Sequence, residues 1–376
     1  MSLEGSIVMN EKYRKQIEGA FEYAIKSGFS KFDHQLYVNK KFQNANTVCF
    51  WGTGKFFRDC NELTGIKYDY VCDNDQLKWG KNFAGKRCIS IDELKTLKEP
   101  VVLILVGNYL PIKKQLDELG IENYITDDIF CNVFDHKYST EWFKENLDAA
   151  VNALELFADD ESKEVYTGVI CNRIAPHLAQ KAFYELQTSG EYFDHGLFEL
   201  SDNEIMVDAG AFNGDTITEF IKSVGGMFEK VYAFEIDTEN FNEMVSKLNK
   251  YKSKIEFINK GVWSNTDKLA FSGEKMSAHI SNNDSKYVDV VSIDEALKDK
   301  KVTFIKMDIE GAELPALDGT RETIMTYLPK LAITVYHRLS DVWSIPLKIK
   351  EFNPNYHIYL RHHSPTVFDT VCYAYM

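Results

Sequence analysis

Two short stretches of the 376-residue chain combine the residue types that hold and activate a small molecule. The first, MVDAGAFNGDT at 206–216, ends an apolar run in Asp208 and then brackets Ala211-Phe212-Asn213 with Gly210 and Gly214, followed by Asp215 and Thr216. The second, IKMDIEGAE at 305–313, ends an apolar run in Asp308 and carries Glu310 and Glu313 across Gly311. A glycine-bracketed loop between a strand and a helix suits a nucleotide, because the ligand can approach the backbone and the helix N-terminus offers unpaired N–H groups. Closely spaced carboxylates beside a bound cation stabilise its charge, and one of them can take a proton from a hydroxyl. Glu310 and Glu313 are also suited to the first turn of the helix that follows.

The first loop departs from the dinucleotide pattern G-x-G-x-x-G. Its second glycine position, where a pyrophosphate would approach, is Phe212, and Asp215 stands at the start of the next helix. A carboxylate there repels a phosphate and competes for the helix N-terminus. Both features favour a nucleoside cofactor with no phosphate and a positive centre, and S-adenosylmethionine fits. Glu235 closes the next strand and is placed to accept hydrogen bonds from both ribose hydroxyls. In open α/β sheets ligands bind beyond the carboxyl ends of the strands. On that rule the candidate cofactor residues are Asp208, Gly210, Asn213, Gly214, Asp215, Thr216, Glu235, Ile236, Gly261, Val262 and Asp308. A tight strand-to-helix turn without a ligand is the alternative for the loop taken alone.

Methyl transfer to an alcohol needs a base aligned with the attacking oxygen. The candidate catalytic residues are His337, Asp308 and Glu310, with the His362-His363 pair in a structural or orienting role. His337 ranks first as base because imidazole titrates near working pH, with Asp308 orienting cofactor or substrate. A structural histidine at a helix boundary is the other reading of His337. Asp308, His337 and His362 follow no metal-ligand spacing, so no metal is expected. No N-P-P-Y type segment follows Asp308, which favours an oxygen acceptor over a nucleobase amine.

These residues require a scaffold of alternating strands and helices. EIMVDA (204–209), KVYAFE (230–235), KIEFIN (254–259), VTFIKMD (302–308), KLAITVY (330–336), YHIYLR (356–361) and TVCYAY (370–375) read as strands, with helical segments between the first six. The last two strands have no helix between them and should pair antiparallel. The expected fold is therefore α/β, a doubly wound sheet of seven strands over 201–376. LAFSG (269–273) and KYVDVVSI (286–293) form an expected hairpin before a helix capped by Ser292 with Glu295. Upstream, VCFWG (48–52), KYDYVCDND (67–75), VVLILVG (101–107) and ENYIT outline a smaller Rossmann-like α/β domain over 45–130. Residues 1–44 read as a helical segment and 131–200 as a helical linker, the latter capped at Ser139 with apolar Trp142, Leu147, Val151 and Leu154 behind it.

VDAGAFNGDT, VYAFEID, FIKMDIEGAELPALDG, LAITVYHRLSDVWSIPLKIKEFNPNYHIYLRHHS and TVCYAY, with YFD at 192–194 upstream, closely resemble the FkbM family of S-adenosylmethionine-dependent methyltransferases. The resemblance runs in order through the C-terminal half. It implies a class I methyltransferase fold and O-methylation of a hydroxyl, often on a sugar or polyketide-derived compound. Asp208, Gly210, Gly214 and Glu235 match the family's cofactor positions, and Asp308, Glu310 and Gly311 its motif after the fourth strand. VCDNDQLKWGKNFAGKRCISIDELK resembles the small Rossmann-like domain that precedes some sugar acetyltransferase and transferase domains, which implies a nucleotide-sugar or carrier ligand there. A degenerate structural module is the alternative.

Two rival functions follow from the same residues. One is a nicotinamide-dependent sugar-nucleotide enzyme using the Gly52-x-Gly54 loop, whose third glycine position is Phe57 and whose helix begins among Lys55 and Arg58. The other is a non-catalytic binding protein that keeps a methyltransferase fold. A net charge of −14 repels phosphate backbones and argues against a nucleic-acid partner. No apolar run is long enough to span a membrane, and the N-terminus lacks a secretory pattern. The seven cysteines are scattered with no C-x-x-C pair, which fits reduced, buried thiols and a cytoplasmic location. The expected partner is a small-molecule or glycan acceptor.

Overall fold

A computed structural model of the chain describes residues 3–27, 31–61, 64–126, 138–175, 178–193, 196–272, 279–280 and 286–376. Asp194 of the YFD element, Gly273 of LAFSG, Cys131 and the side chain of Cys60 lie outside what is described. Among the described residues, no helix is long and apolar enough to cross a membrane.

The N-terminal sheet contains β1 (Thr47–Trp51), β2 (Tyr70–Cys72), β3 (Asn82–Phe83), β4 (Lys86–Ile89), β5 (Pro100–Ile104) and β6 (Glu122–Ile125), in the order β3-β4-β2-β1-β5-β6. It is parallel except for β3 against β4. Side chains alternate across β1: Val48 and Phe50 join one apolar cluster, Cys49 and Trp51 the other. Both faces are covered, which is why the strand reads as an unbroken apolar run and not as an alternation. The β3–β4 hairpin, absent from the sequence expectation, turns on Ala84 and Gly85, both left-handed at φ 48° and 80°.

The C-terminal sheet begins with β7 (Ile205–Ala209), β8 (Lys230–Phe234) and β9 (Ile255–Ile258). A small sheet then intervenes, made of β10 (Gly261–Val262), β11 (Asp267–Ser272), β12 (His279–Ile280) and β13 (Lys286–Val291), with β11 and β13 antiparallel as expected. Next come β14 (Phe304–Met307), β15 (Lys330–Thr334), β16 (His357–His362) and β17 (Thr370–Tyr375), completing seven strands in the order β16-β17-β15-β14-β7-β8-β9. β17 runs antiparallel to both of its neighbours. The winding reverses between β7 and β14, which opens a crevice beyond their carboxyl ends. Ser292 accepts from the Glu295 amide as the capping pattern requires, but the Glu295 carboxylate turns to Thr266.

Helices from both upstream segments share the core of this sheet. Leu3–Ser27, Thr140–Ala153 and Asp160–Ile174 bury Phe21, Phe143 and Val169 in one cluster with Ile333 and Trp343. Phe21 meets Phe143 edge-on at 5.6 Å and Trp343 at 6.0 Å between ring centroids. Helix Asp160–Ile174 is also tied to β16, where Ser162 Oγ accepts from the Leu360 amide at 2.9 Å and Arg361 pairs with Asp159 at 2.7 Å. Arg361, which the strand order places near the ligand end, is therefore spent on an ion pair. The loop after β5 approaches the 363–369 turn, where a Cβ on Gly107 would meet Pro365 at 3.2 Å, and Tyr109 stands against Tyr184 at 5.8 Å. Cys49, Cys72, Cys88, Cys171 and Cys372 are free and buried, and burial pushes the Cys49 thiol up to about 12.

Because Phe21 joins an N-terminal helix to the core of the C-terminal sheet, Phe21→Ala should cost about 3–5 kcal/mol. Denaturant unfolding followed by tryptophan fluorescence checks this, and a loss under about 1 kcal/mol would mean that the helix contributes little to this core.

Candidate active site

The crevice between β7 and β14 is a cleft of about 360 Å³. Gly210 begins its floor at φ 81°, and a Cβ there would sit 1.9 Å from the Asp308 carbonyl oxygen, so only glycine allows β7 and β14 to end this close together. Its amide and that of Ala211 donate to the Phe234 carbonyl at 3.0 and 2.9 Å, folding the loop over the end of β8. Helix Asp215–Ser223 follows, its apolar residues Ile217, Phe220 and Ile221 buried on the sheet.

Nine expected residues line the cleft: Gly210, Asp215, Thr216, Glu235, Ile236, Gly261, Val262, Asp308 and Glu310. Glu235 is the best defined. Its Oε2 accepts from the Phe212 amide and its Oε1 from the Asp237 amide, both at 2.7 Å, which fixes the carboxylate while each oxygen keeps a lone pair. Burial, against those two amides, pushes its pKa up to about 7.

Four expected residues stand elsewhere. Asp208 is fully buried beneath the floor, its Oδ1 3.0 Å from Lys306 Nζ, so it supports the cleft without lining it. Burial, opposed by Lys306, still pushes it up to about 6. Asn213 turns away and donates to Glu243 at 3.0 Å. Gly214 packs under helix Thr238–Leu248, where a Cβ would meet Leu248 Cδ1 at 2.7 Å, so its role is local packing.

His337 is the main correction. It is fully buried, with Nδ1 3.0 Å from Glu313 Oε1 and Nε2 3.4 Å from Glu310 and 3.5 Å from Asp308. Burial opposes its charged form, but Glu313, Glu310 and Asp308 outweigh burial and raise its pKa well above the ordinary value. An imidazolium clamped by carboxylates has no lone pair to offer, so His337 is unsuited to be the base. Glu313 is buried, and its Oε1 accepts from the Ile309 amide at 2.9 Å and from Thr334 at 3.2 Å. Donor atoms of Asp308, Glu313 and His337 lie within 4.8 Å of one another, a spacing that a divalent cation tolerates and that an imidazolium among carboxylates also takes. His362 is buried against Phe183 and bonded to Thr370 at 2.8 Å, and burial, then His363, pushes it down to about 3.

The sequence expectation omitted Lys306, Glu191, Tyr192 and Asp369, all of which line the cleft. Lys306 sits inside the apolar run IKM, and a lysine buried in a strand is itself a signal, since burial demands a partner. Its ammonium donates to the Gly210 carbonyl at 2.7 Å and lies 5.3 Å from the Tyr192 ring centre. Tyr192 donates to Asp308 Oδ2 at 2.9 Å, and Tyr336 to Oδ1 at 3.2 Å. Tyr192, Phe212, Glu310 and Asp369 all line the cleft with left-handed backbones, at φ 59°, 45°, 58° and 58°. Each such conformation costs about 1–3 kcal/mol outside glycine, and their gathering at one cleft marks a functional site.

A doubly wound seven-stranded sheet with an antiparallel β17, a glycine loop after the first strand and a carboxylate after the second defines a class I methyltransferase. Residues 208–362 match the family model of the methyltransferase FkbM domain, and this match together with the fold supports a methyltransferase. Among solved structures it is similar to a methyltransferase FkbM from Methylobacillus flagellatus KT, 26% identical with a TM-score of 0.69, over 98% of this chain and 100% of that one. It is more weakly similar to an rRNA methylase from Streptococcus thermophilus (16% identity, TM-score 0.29, 47% of this chain and 89% of that one). A SAM-dependent methyltransferase from Aquifex aeolicus stands at a comparable distance (18% identity, TM-score 0.31, 51% and 95%). No curated protein matches the chain.

Two outcomes follow from the charges. Lys306→Met leaves Asp208 buried without its cation and should destabilise the fold by about 3–5 kcal/mol, measured by chemical unfolding. Glu191, Asp369 and Glu235 have folded pKa values pushed up to about 8, 7 and 7. The unfolded chain releases these protons from about pH 4.5 upward, so the stability they contribute is full below that and is lost as pH rises through about 7 to 8. Glu191→Gln should therefore flatten the fall in melting temperature between about pH 5 and 8. An unchanged slope would place the titration elsewhere.

Proposed function

We propose that the protein is an S-adenosylmethionine-dependent O-methyltransferase acting on a hydroxyl of a sugar, glycan or related small molecule. The observation that carries this reading is Glu235, held by one backbone amide on each oxygen at the rim of the glycine-floored cleft. A carboxylate so anchored suits a ribose diol, which donates two hydrogen bonds side by side. The cradle under Gly210 and the acidic Asp215 at the helix start favour a nucleoside without phosphate. S-adenosylmethionine, when bound, supplies an electrophilic methyl group on a sulfonium.

In this reading Gly210, Thr216, Glu235, Ile236, Gly261 and Val262 hold the nucleoside, while Asp308 and Glu310 face the reacting end. Asp308 is oriented by the Tyr192 and Tyr336 hydroxyls, which fixes its lone pairs. His337 positions Glu310 and Asp308 as a fixed cation behind them. The acids after β14 suit the orientation of an oxygen nucleophile toward the methyl group. Residues 201–376 carry the reaction and 45–130 form an accessory unit; the Leu3–Ser27, Thr140–Ala153 and Asp160–Ile174 helices pack on the former, and Val38 and Phe42 of helix Lys31–Asn44 pack in the latter. The nicotinamide rival is disfavoured by Asp73, the acid after β2, whose carboxylate already accepts from Thr53 at 2.7 Å, Lys78 at 2.9 Å and the Asp75 amide at 2.9 Å.

Calorimetry with S-adenosylmethionine, S-adenosylhomocysteine and NAD tests the reading: the first two should bind and NAD should not. Glu235→Ala should weaken both nucleosides about 10–100-fold, the loss of two charge-assisted hydrogen bonds. Unchanged affinity would remove the ribose assignment.

A further inference from the structure

Glu191 and Asp369 have no part in the reading above, yet both line the cleft beside Asp308. They reach it from distant parts of the chain, one from the segment before β7 and the other from the turn between β16 and β17. Both segments are latched. The His363 amide donates to the Asp369 carbonyl at 2.8 Å, and the Tyr192 amide donates to the Tyr373 hydroxyl at 2.8 Å. That hydroxyl lies 2.8 Å from His363 Nε2, while His363 Nδ1 lies 3.1 Å from the Thr188 carbonyl. The ring therefore donates from Nδ1 and accepts at Nε2, and one histidine ties the two segments together.

The neighbouring cations are already engaged. Lys306 faces Asp208 at 3.0 Å, and His337 faces Glu313 at 3.0 Å. The Tyr192 hydroxyl donates its hydrogen bond to Asp308. Across the cleft Glu310, Glu235 and Asp215 add negative charge, and Lys260 is the second ammonium lining it. Carboxylates gathered in this way cannot all stay ionised, and the proton settles where the field is most negative.

We infer that Glu191 and Asp369 form the proton-accepting pair for the acceptor hydroxyl, and that the cofactor's positive charge readies them to receive its proton. This rests on the methyltransferase reading. Burial, then Asp369 and Asp308, push Glu191 up to about 8, and burial, then Asp308, push Asp369 up to about 7. Without a cation in the cleft the pair holds a proton near neutral pH; with one it gives that proton up. In the reaction the acceptor oxygen bonds to the methyl carbon, the C–S bond breaks with its electron pair left on sulfur, and the O–H proton passes to the pair. The cleft loses the sulfonium charge as it gains the proton, so the pair's proton affinity rises as the proton arrives.

The experiment counts protons on binding to the full-length chain. S-adenosylmethionine and S-adenosylhomocysteine are titrated calorimetrically at about pH 7.5 in buffers of different ionisation enthalpy. Ribose contacts to Glu235 are common to both ligands, so the difference in proton release reports the sulfonium charge. S-adenosylmethionine should release up to roughly one proton more than S-adenosylhomocysteine. Glu191→Gln and Asp369→Asn should each remove most of that excess while still binding the cofactor, and Glu191→Asp should restore part of it. Equal release by the two ligands in the wild-type chain, which needs no variant, overturns the inference, as does an excess that persists in both amide variants. Failure of both ligands to bind the wild-type chain overturns the methyltransferase reading instead.

Discussion

Lys306 and Asp208 stand opposite each other on β14 and β7, the two strands between which the winding of the sheet reverses. Everything around the cleft depends on that pair. Both side chains are almost wholly buried, and a charge so placed persists only with a partner. Lys306 also donates to the Gly210 carbonyl, so the same ammonium that neutralises Asp208 sets the first turn of the glycine loop. The loop then folds onto Phe234, and its Phe212 amide fixes Glu235. One buried ion pair thus links strand register, loop shape and the anchored carboxylate of Glu235 in the cleft.

The second level of organisation is negative charge held in place by strain and by cations set behind it. Six carboxyl groups line the cleft against two lysines, one of which is already paired. Like charges at this density are unfavourable in the empty cleft, and the four left-handed residues there add to the cost. Apolar packing elsewhere offsets it. The Leu3–Ser27, Thr140–Ala153 and Asp160–Ile174 helices pack a large aromatic core against one face of the C-terminal sheet. A ligand with a positive centre relieves the repulsion, which couples affinity for the cofactor to the chemistry asked of it.

Much of this was legible in the residues. All seven strands of the C-terminal sheet, its antiparallel end and the antiparallel pairing of β11 with β13 follow from apolar runs and their spacing, because burial on two faces leaves little choice of residue type, whereas β12, which lies between those two in the chain, was not expected. The glycine loop, Glu235 and the acids after β14 follow from the rule that ligands gather at the carboxyl ends of strands. The β3–β4 hairpin escaped because Ala84-Gly85 is not a typical two-residue turn. His337 was misjudged for a different reason. A histidine's ordinary pKa makes it a natural base, and only the presence of Glu313, Glu310 and Asp308 around it turns it into a fixed cation.

The amino-acid sequence alone determined the order of elements, the class of sheet and the glycine-loop end of the cleft, since these depend on local patterns of burial and on residues adjacent in the chain. Only the tertiary structure decided which side chains meet at the other end. Glu191 comes from a segment before β7, Tyr192 beside it reaches Asp308 through 116 residues of separation, and Asp369 arrives from the far hairpin. Their proton affinities arise from burial and mutual repulsion, which exist only once those segments are folded against one another. No pattern within any one segment carries that information, so the acid–base character of this cleft is a property of the fold.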